Sequence, residues 1–371
     1  MKRPLHILTV IGARPQIIKA SAISRAVAGP FAGRITETLL HTGQHYDANM
    51  SQVFFDELGI PQPQIQLGVG SGGHGQQVAR MLEAIEKHIL TLGPDLVLLY
   101  GDTNSTLAGA LAASKLHVPV AHVEAGLRSY NKAMPEELNR IVCDQCSTWL
   151  FCPTPAAIAN LEREGFSSMP SQPPTIDRPQ VLLTGDVMYD NSMHFARLAS
   201  TRTSGVVQDL GLRPEGYFLA TVHREANTND PDRLAAILES LLDAHKAYDI
   251  PVVLPLHPRT RKCIEAHPDA SLRTRIAAAK HFHLIPPAGF LDMVDLERNA
   301  RLVVTDSGGV QKEAYFFGRP VVVLRNETEW VELVELGQAI LADTDPTRIR
   351  AAIDHFMHHP VPKVPALYGD G

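Results

Sequence analysis

The sequence predicts an α/β protein built as two Rossmann-like doubly wound domains facing a cleft, and three observations carry that prediction. Short apolar runs alternate with helix-length segments in two separate series along 371 residues, the pattern of parallel strands joined by helices. Many of these runs end in a glycine-bearing or polar turn that opens the next helix, the place where such sheets hold their ligands. The length suits two domains, and an apolar content of 44% is ample for two cores. The expected division is residues 1–186, residues 187–352, and a C-terminal segment, 353–371, that returns to the first domain.

The first series opens at 5–11, Leu-His-Ile-Leu-Thr-Val-Ile, a buried strand. Gly12-Ala13-Arg14-Pro15 then turns into a helix from Gln16 to about Ala28, with Pro15 in the first turn, where its fixed φ fits. Arg14 on the turn and Lys19 one turn further supply positive charge. A second strand, 35–40, runs into the polar loop His41-Thr42-Gly43-Gln44-His45-Tyr46-Asp47. Gln62 to Gly75 is rich in glycine and proline and reads as a surface loop or lid. After a helix from about Gln76 to Thr91 comes a central strand, 95–100, that ends in Gly101-Asp102-Thr103-Asn104. The next strand, 118–123, ends in Glu124-Ala125-Gly126-Leu127-Arg128. Any one of Arg14, His45, Asp102 and Glu124 suits a cap or a surface charge, but four at successive strand ends point to a site. Pro135-Glu136-Glu137 begins a helix, and proline at the first position with acids behind it is a complete structural reason for that start. A strand and cap at 149–154, a proline-rich loop at 167–179 and a last strand at 181–186 close the series.

The second series restarts at 217–222 and leads into His223-Arg224-Glu225-Ala226-Asn227 and, after Pro231, a long helix. Strand 251–256 ends in His257-Pro258-Arg259, strand 283–285 in Pro286-Pro287, and Phe290 opens another helix. The stretch from Leu302 to Leu324 is the most informative: a strand, the turn Asp306-Ser307-Gly308-Gly309, a helix, and a second strand. Gly308 and Gly309 leave room for a close ligand, and the helix behind them points free N–H groups outward, a seat for phosphate. Glu313, on the same first turns, is placed to accept two ribose hydroxyls. A nucleotide diphosphate is the expected occupant, although an ordinary tight β–α connection has the same residues. A helix from Pro346 to about Met357 ends the series.

Composition narrows the partners. A net charge of −6 lacks the basic face that nucleic acid demands. No run of 18 apolar residues occurs, and Met1-Lys2-Arg3-Pro4 leads straight into a strand, so the chain reads as soluble and cytoplasmic, with no membrane partner. Cys143, Cys146, Cys152 and Cys263 suit a reducing compartment, and the C-x-x-C pair inside a predicted helix completes no zinc site. No metal and no cofactor are expected; His355, His358 and His359 read as a solvated tail. Arg14, Lys19, Arg224 and Arg259 with the Ser307-Gly308-Gly309 turn suit a pyrophosphate. Asp102, Glu124 and Glu136, with His223 and His257, suit proton abstraction and return, since like charges in a closed site lift carboxylate pKa values toward neutrality.

These segments together resemble one family. Gly12-Ala13-Arg14-Pro15 with Lys19, Thr42-Gly43-Gln44-His45, Gly101-Asp102-Thr103 and His122-Val123-Glu124-Ala125-Gly126-Leu127-Arg128 match it. So do Pro135-Glu136-Glu137-Leu138-Asn139-Arg140, His223-Arg224-Glu225 and Asp306-Ser307-Gly308-Gly309 with 311–314. The chain is similar, over nearly its full length, to the non-hydrolysing UDP-N-acetylglucosamine 2-epimerases. The resemblance implies the glycosyltransferase-B architecture, a homodimer, a UDP-sugar substrate and a place in polysaccharide biosynthesis. It implies interconversion of UDP-GlcNAc and UDP-ManNAc by elimination of UDP to a 2-acetamidoglucal and re-addition. Carried over, Asp102, Glu124 and Glu136 become acid–base carboxylates, His223 assists the leaving phosphate, and Arg14 and Lys19 bind near it. Ser307, Gly308, Gly309 and Glu313 hold diphosphate and ribose, Phe290 lies near the uracil, and His257 joins the UDP-binding set. Gln44 and His45 match the region where commoner members bind a second, activating substrate molecule. Two departures stand out: a short loop between Arg128 and Pro135, and His223-Arg224-Glu225 where His-Arg-Arg-Glu is usual. That loop and Thr328-Glu329-Trp330-Val331-Glu332 resemble members acting on UDP-2,3-diacetamido-2,3-dideoxy-glucuronate. A transferase of the same architecture and a non-catalytic sugar-nucleotide sensor are the rival readings.

Overall fold

The computed structural model describes residues 3–44, 59, 61–169, 173–359, 361 and 367–369. They cluster into two compact units, one within Met1–Asn191 that also takes residues 367–369, the other within Ser192–Pro365.

The first unit carries a seven-stranded sheet in the order β3-β2-β1-β4-β5-β6-β7, every pairing parallel. Its strands are β1 (Leu5–Ile11), β2 (Ile35–His41), β3 (Ile65–Gln66), β4 (Leu96–Tyr100), β5 (Val120–Val123), β6 (Trp149–Cys152) and β7 (Gln180–Leu183). Between them run α1 (Arg14–Ala28), α2 (His74–Leu92), α3 (Asn104–Lys115), α4 (Pro135–Gln145) and α5 (Pro155–Arg163), and α6 (Val187–Ser200), which begins in this unit and ends in the second, follows the last strand. Strands covered by helices on both faces read as unbroken apolar runs, which is why Val97, Leu98, Leu99 and Tyr100 are all buried. The loop expected at Gln62–Gly75 in fact holds the short strand β3, and α2 already begins at His74. The strand and cap expected at 149–154 are β6, which stops at Cys152, and Thr154, which caps α5, its Oγ1 accepting from Ala157 N at 3.3 Å.

The second unit repeats the plan with six strands in the order β10-β9-β8-β11-β12-β13. These are β8 (Phe218–Thr221), β9 (Val252–Pro255), β10 (Phe282–Ile285), β11 (Leu302–Thr305), β12 (Val321–Val323) and β13 (Ala339–Leu341). Its helices are α7 (Val206–Asp209), α8 (Glu225–Thr228), α9 (Pro231–Tyr248), α10 (Pro258–Glu265), α11 (Ala270–Ala278), α12 (Phe290–Asn299), α13 (Gly308–Phe316), α14 (Val331–Glu335) and α15 (Pro346–His358). A core of Phe218, Leu238, Leu241, Val304 and Val322 lies between this sheet and its helices.

In each unit the strand order reverses once, between β1 and β4 and between β8 and β11. Outside the carboxyl ends at such a switch point the flanking turns diverge and leave a crevice. In the first unit Gln16, buried at the start of α1, holds that point together. Its Oε1 accepts from Gly12 N at 2.8 Å and Ala13 N at 3.2 Å, and its Nε2 donates to Tyr100 O at 2.8 Å and Thr106 Oγ1 at 3.0 Å. The neighbouring Gly12 leaves space for two hydroxyls, since a Cβ there would collide with Ser105 Oγ and Thr42 Oγ1.

Gly12→Ala therefore forces these hydroxyls apart and should lower stability by about 1–3 kcal/mol. Urea unfolding of the variant beside the wild type checks this; an unchanged midpoint would show that the turn can absorb the methyl group.

Candidate active site

A cavity of about 450 Å³ opens in the first unit, lined among others by Arg14, Gln44, His74, Asp102, Glu136 and Asn139. Arg14, Gln44, Asp102 and Glu136 of the predicted set thus meet on one wall system. Gln44 reaches into α3, its Oε1 accepting from Ser105 N at 3.0 Å and Ser105 Oγ at 2.8 Å. His45 lies outside the described residues.

The acids arrive with cations. Asp102, at the end of β4, pairs with Arg140 of α4, and Glu124, following β5, pairs with Lys19 of α1. Glu124 is only 9% exposed and Lys19 14%, so each charge offsets the burial of the other. The crowding of acid on acid expected from the sequence is replaced by acid–cation pairing. Glu136 and Glu137, equivalent as helix-start acids, separate completely. Glu136 is exposed on the cavity, while Glu137 is buried. Glu137 accepts from Ser129 N at 2.9 Å, Tyr130 N at 2.9 Å and Arg140 Nη1 at 2.6 Å, tying the short loop after Arg128 to α4. Burial pushes its carboxyl pKa up, but these donors outweigh it and leave the value below the usual range.

Residues with no chemical signature in the sequence complete the wall. Asn139 donates to Asp102 O at 2.8 Å, and Asn104 donates to Gln77 Oε1 at 2.7 Å, whose own amide donates to Gly70 O at 2.8 Å. A relay of side-chain amides thereby connects the glycine-rich loop to the Asp102 turn. His74 joins it, its Nδ1 3.2 Å from Asn104 Nδ2. Since that amide can only donate, Nδ1 accepts and the proton sits on Nε2.

In the second unit the organising residue is Asp306, fully buried after β11. It accepts from His223 N at 3.1 Å, Arg224 N at 3.0 Å and Asn227 Nδ2 at 3.1 Å, and lies 3.1 Å from His223 Nδ1. A carboxylate there fixes the proton on Nδ1 and leaves Nε2 of the half-exposed His223 for a ligand. Ser307 caps α13, its Oγ accepting from Val310 N at 3.4 Å. Among the described residues Gly309 meets only Ser307 Oγ within van der Waals range of a would-be Cβ, at 3.9 Å, whereas a Cβ at Gly308 would strike Glu329. The space at Gly308 is thus used by the chain's own carboxylate, itself held by Arg325 at 2.7 Å. Trp330 donates to Gly308 O at 2.8 Å and takes the Lys312 ammonium over its ring at 4.5 Å, so the segment after β12 buttresses the turn. Glu313 is half-buried on α13. Phe290 is mostly buried, edge-on to Phe195 with ring centroids 5.0 Å apart. His257 caps α10 from an exposed position, its Nδ1 accepting from Arg259 N at 3.3 Å, and Arg259 pairs with Glu225. Among the described residues no cluster of His, Cys, Asp and Glu is arranged to hold a metal ion, and no helix is long and apolar enough to cross a membrane.

A model of the UDP-N-acetylglucosamine 2-epimerase family matches residues 31–371. The chain is 51% identical over 337 residues to the UDP-2,3-diacetamido-2,3-dideoxy-D-glucuronate 2-epimerase of Pseudomonas aeruginosa, covering 91% of this chain and 88% of that one. It is 44% identical over 352 residues to a UDP-N-acetylglucosamine 2-epimerase homolog of Methanococcus maripaludis, with 95% and 92% covered. The crystal structure of Methanocaldococcus jannaschii UDP-GlcNAc 2-epimerase in complex with UDP-GlcNAc and UDP matches with a TM-score of 0.80 at 37% identity, covering 99% of this chain and 96% of that one. The likeness embraces both Rossmann-like units, the pattern of glycosyltransferase-B folds.

The Asp306 cluster makes a pH prediction. Burial pushes its carboxyl pKa up, but hydrogen bonds and charge from His223, with Arg224 and Asn227, outweigh that and depress it. A depressed folded value stabilises the fold above the unfolded value of about 3.9, and the contribution fades as pH falls through the folded value. Asp306→Asn should cost roughly 1–3 kcal/mol at neutral pH. Its deficit in thermal midpoint should shrink as the pH is lowered toward about 3; a deficit constant with pH would refute the assignment.

Proposed function

The chain belongs to the UDP-N-acetylglucosamine 2-epimerase family and is an isomerase, and we propose that it inverts C2 of UDP-2,3-diacetamido-2,3-dideoxy-glucuronate. The observation that carries the substrate is the 51% identity to a relative of that name, against 44% and 37% for relatives named for UDP-N-acetylglucosamine. The loop after Arg128 and the segment 328–332 point the same way. UDP-N-acetylglucosamine, the first expectation from the sequence, is the second reading, favoured by the bound sugar nucleotide in the Methanocaldococcus jannaschii structure.

The reaction follows from the chemistry of the substrate. A carboxylate removes the C2 proton, the C1–O bond breaks with its electron pair leaving on UDP, and a C1–C2 double bond forms. Returning a proton to the opposite face of C2 while the UDP oxygen rebuilds C1–O gives the epimer. Removal and return happen on two faces, so the step needs more than one acid–base group. Asp102, Glu124 and Glu136 take these roles, with Lys19 balancing charge at Glu124. Arg14 and Nε2 of His223 meet the charge that develops on the departing phosphate. Ser307, Gly308, Gly309, Glu313, Phe290 and His257 hold UDP, and Gln44 and His45 belong to a second, regulatory site. The enzyme acts as a cytoplasmic homodimer feeding polysaccharide biosynthesis.

Turnover of each UDP-sugar in deuterated water tests this. Deuterium should enter C2, with kcat/KM for the diacetamido-uronate at least about tenfold above that for UDP-GlcNAc. Asp102→Asn, Glu124→Gln and Glu136→Gln should each lower kcat by about 100-fold or more. The exposed Glu136→Gln should melt normally, whereas Glu124→Gln, which takes the carboxylate from Lys19, should melt lower. Preference for UDP-GlcNAc would restore the second reading; no deuterium from either sugar would sink the epimerase, and a requirement for an added acceptor would make the protein a transferase.

A further inference from the structure

Beneath the acids of the first unit lies a buried ionic cluster that the reaction as described does not use. His122, on β5, and Asp144, on α4, are both fully buried. Nδ1 of His122 lies 2.7 Å from Asp144 Oδ1, and Nε2 lies 2.8 Å from the carbonyl oxygen of Gly101. A carbonyl and a carboxylate only accept, whereas neutral imidazole donates from one nitrogen alone. Asp144 Oδ2 meanwhile accepts from Gly126 N at 3.1 Å and Arg128 Nη1 at 2.8 Å, the company of a carboxylate. The extra proton therefore belongs to the ring. Burial opposes that charge, yet Cys143 and Asp144 beside the imidazole outweigh it and lift its pKa well above the usual range.

Both turns that carry acids hang on this cluster. Gly101 accepts from His122 and donates to Val123 O at 3.0 Å. It has a φ of 61°, and a Cβ on it would stand 3.3 Å from Glu124 Oε2 and 3.4 Å from Lys19 Nζ. The turn thus runs directly under the Lys19–Glu124 pair and delivers Asp102 as its next residue. Glu124 has a φ of 72°, a left-handed conformation that residues with side chains seldom adopt. It is bracketed by Val123 O, bound to Gly101, and Gly126 N, bound to Asp144.

We propose that His122 is a positioning residue: as an imidazolium clamped by Asp144 and braced by Arg128, it locks the Gly101–Asp102 turn to left-handed Glu124 and fixes the separation of the two carboxylates. The inference rests on the reading of Asp102 and Glu124 as epimerising acids. Epimerisation needs both acids in register with one glycal, so a loosened clamp lets elimination proceed while re-addition falters, and free UDP and glycal escape.

The test is a double-mutant cycle on the full chain, with wild type alongside. In His122→Gln the amide still donates to Gly101, but its carbonyl faces the Asp144 carboxylate. In His122→Gln/Asp144→Asn that repulsion becomes an N–H···O bond. His122→Gln should lose kcat about 100-fold with KM within roughly threefold, and release more glycal per epimer formed. The double variant should recover at least about tenfold of kcat and the wild-type product ratio. If His122→Gln does not fold, Asp144→Asn carries the same measurements. A folded single variant with kcat within about threefold of wild type, or one whose loss leaves the product ratio unchanged, overturns the proposal. Failure of the wild type itself to epimerise either UDP-sugar would instead overturn the functional reading.

Discussion

Charge compensation at the carboxyl ends of three adjacent strands governs the first unit. A carboxylate with little access to water cannot stay charged without a partner, and truncating one half of such a pair is far costlier than never having had it. Lys19 reaches Glu124 from the helix after β1, and Arg140 reaches Asp102 and Glu137 from the helix after the short loop. Because β1, β4 and β5 are neighbours in the sheet, their ends lie side by side, and helices far apart in sequence can deliver the cations. The pairing makes acids tolerable at the site, and the strand order makes the pairing possible.

The second unit solves a different problem with the same topology. Here the acid, Asp306, is buried below the turn and gathers His223 N, Arg224 N and Asn227 Nδ2 around itself. A single carboxylate thus aligns backbone donors from β8 with the turn after β11, on the two sides of the switch point. Carboxylates of Asp102 and Glu136 line the cavity of the first unit, while the second presents an imidazole and a capped helix start, groups suited to an anion. Histidine at 223 is oriented by what lies beneath it, much as Glu124 is.

The strand–helix alternation was readable because parallel strands buried on both faces leave unbroken apolar runs, as at 96–100 and 302–305. Candidate acids were readable because they follow those runs directly. Lys19 was picked out inside its helix, but most of what helix interiors supply escaped. Gln16, Arg140 and Asp144 have the same composition signature as any polar helix residue, and only tertiary pairing reveals them. Short elements escaped too: α10 and α11 carry too few turns for periodicity to declare itself, and the two-residue strand β3 exists only through its pairing with β2. Gly308 shows a subtler limit. Its lack of a side chain was legible, but the close neighbour is Glu329, a contact between residues on either side of β12 that spacing cannot foresee.

The arrangement of acids bears on which reaction this architecture performs. Transfer of a sugar to an acceptor needs one base, to take the acceptor's proton, and leaves C2 untouched. Inversion at C2 needs groups that can exchange protons on both faces, and microscopic reversibility demands that each serve as acid in one direction and base in the other. Asp102 and Glu124 come from different strand ends with different cations, and Glu136 lines the same cavity as Asp102 from the start of α4. Carboxylates delivered from separate elements can be placed on different sides of one carbon. The left-handed backbone at Glu124 and the glycine beneath it are the local cost of that independence.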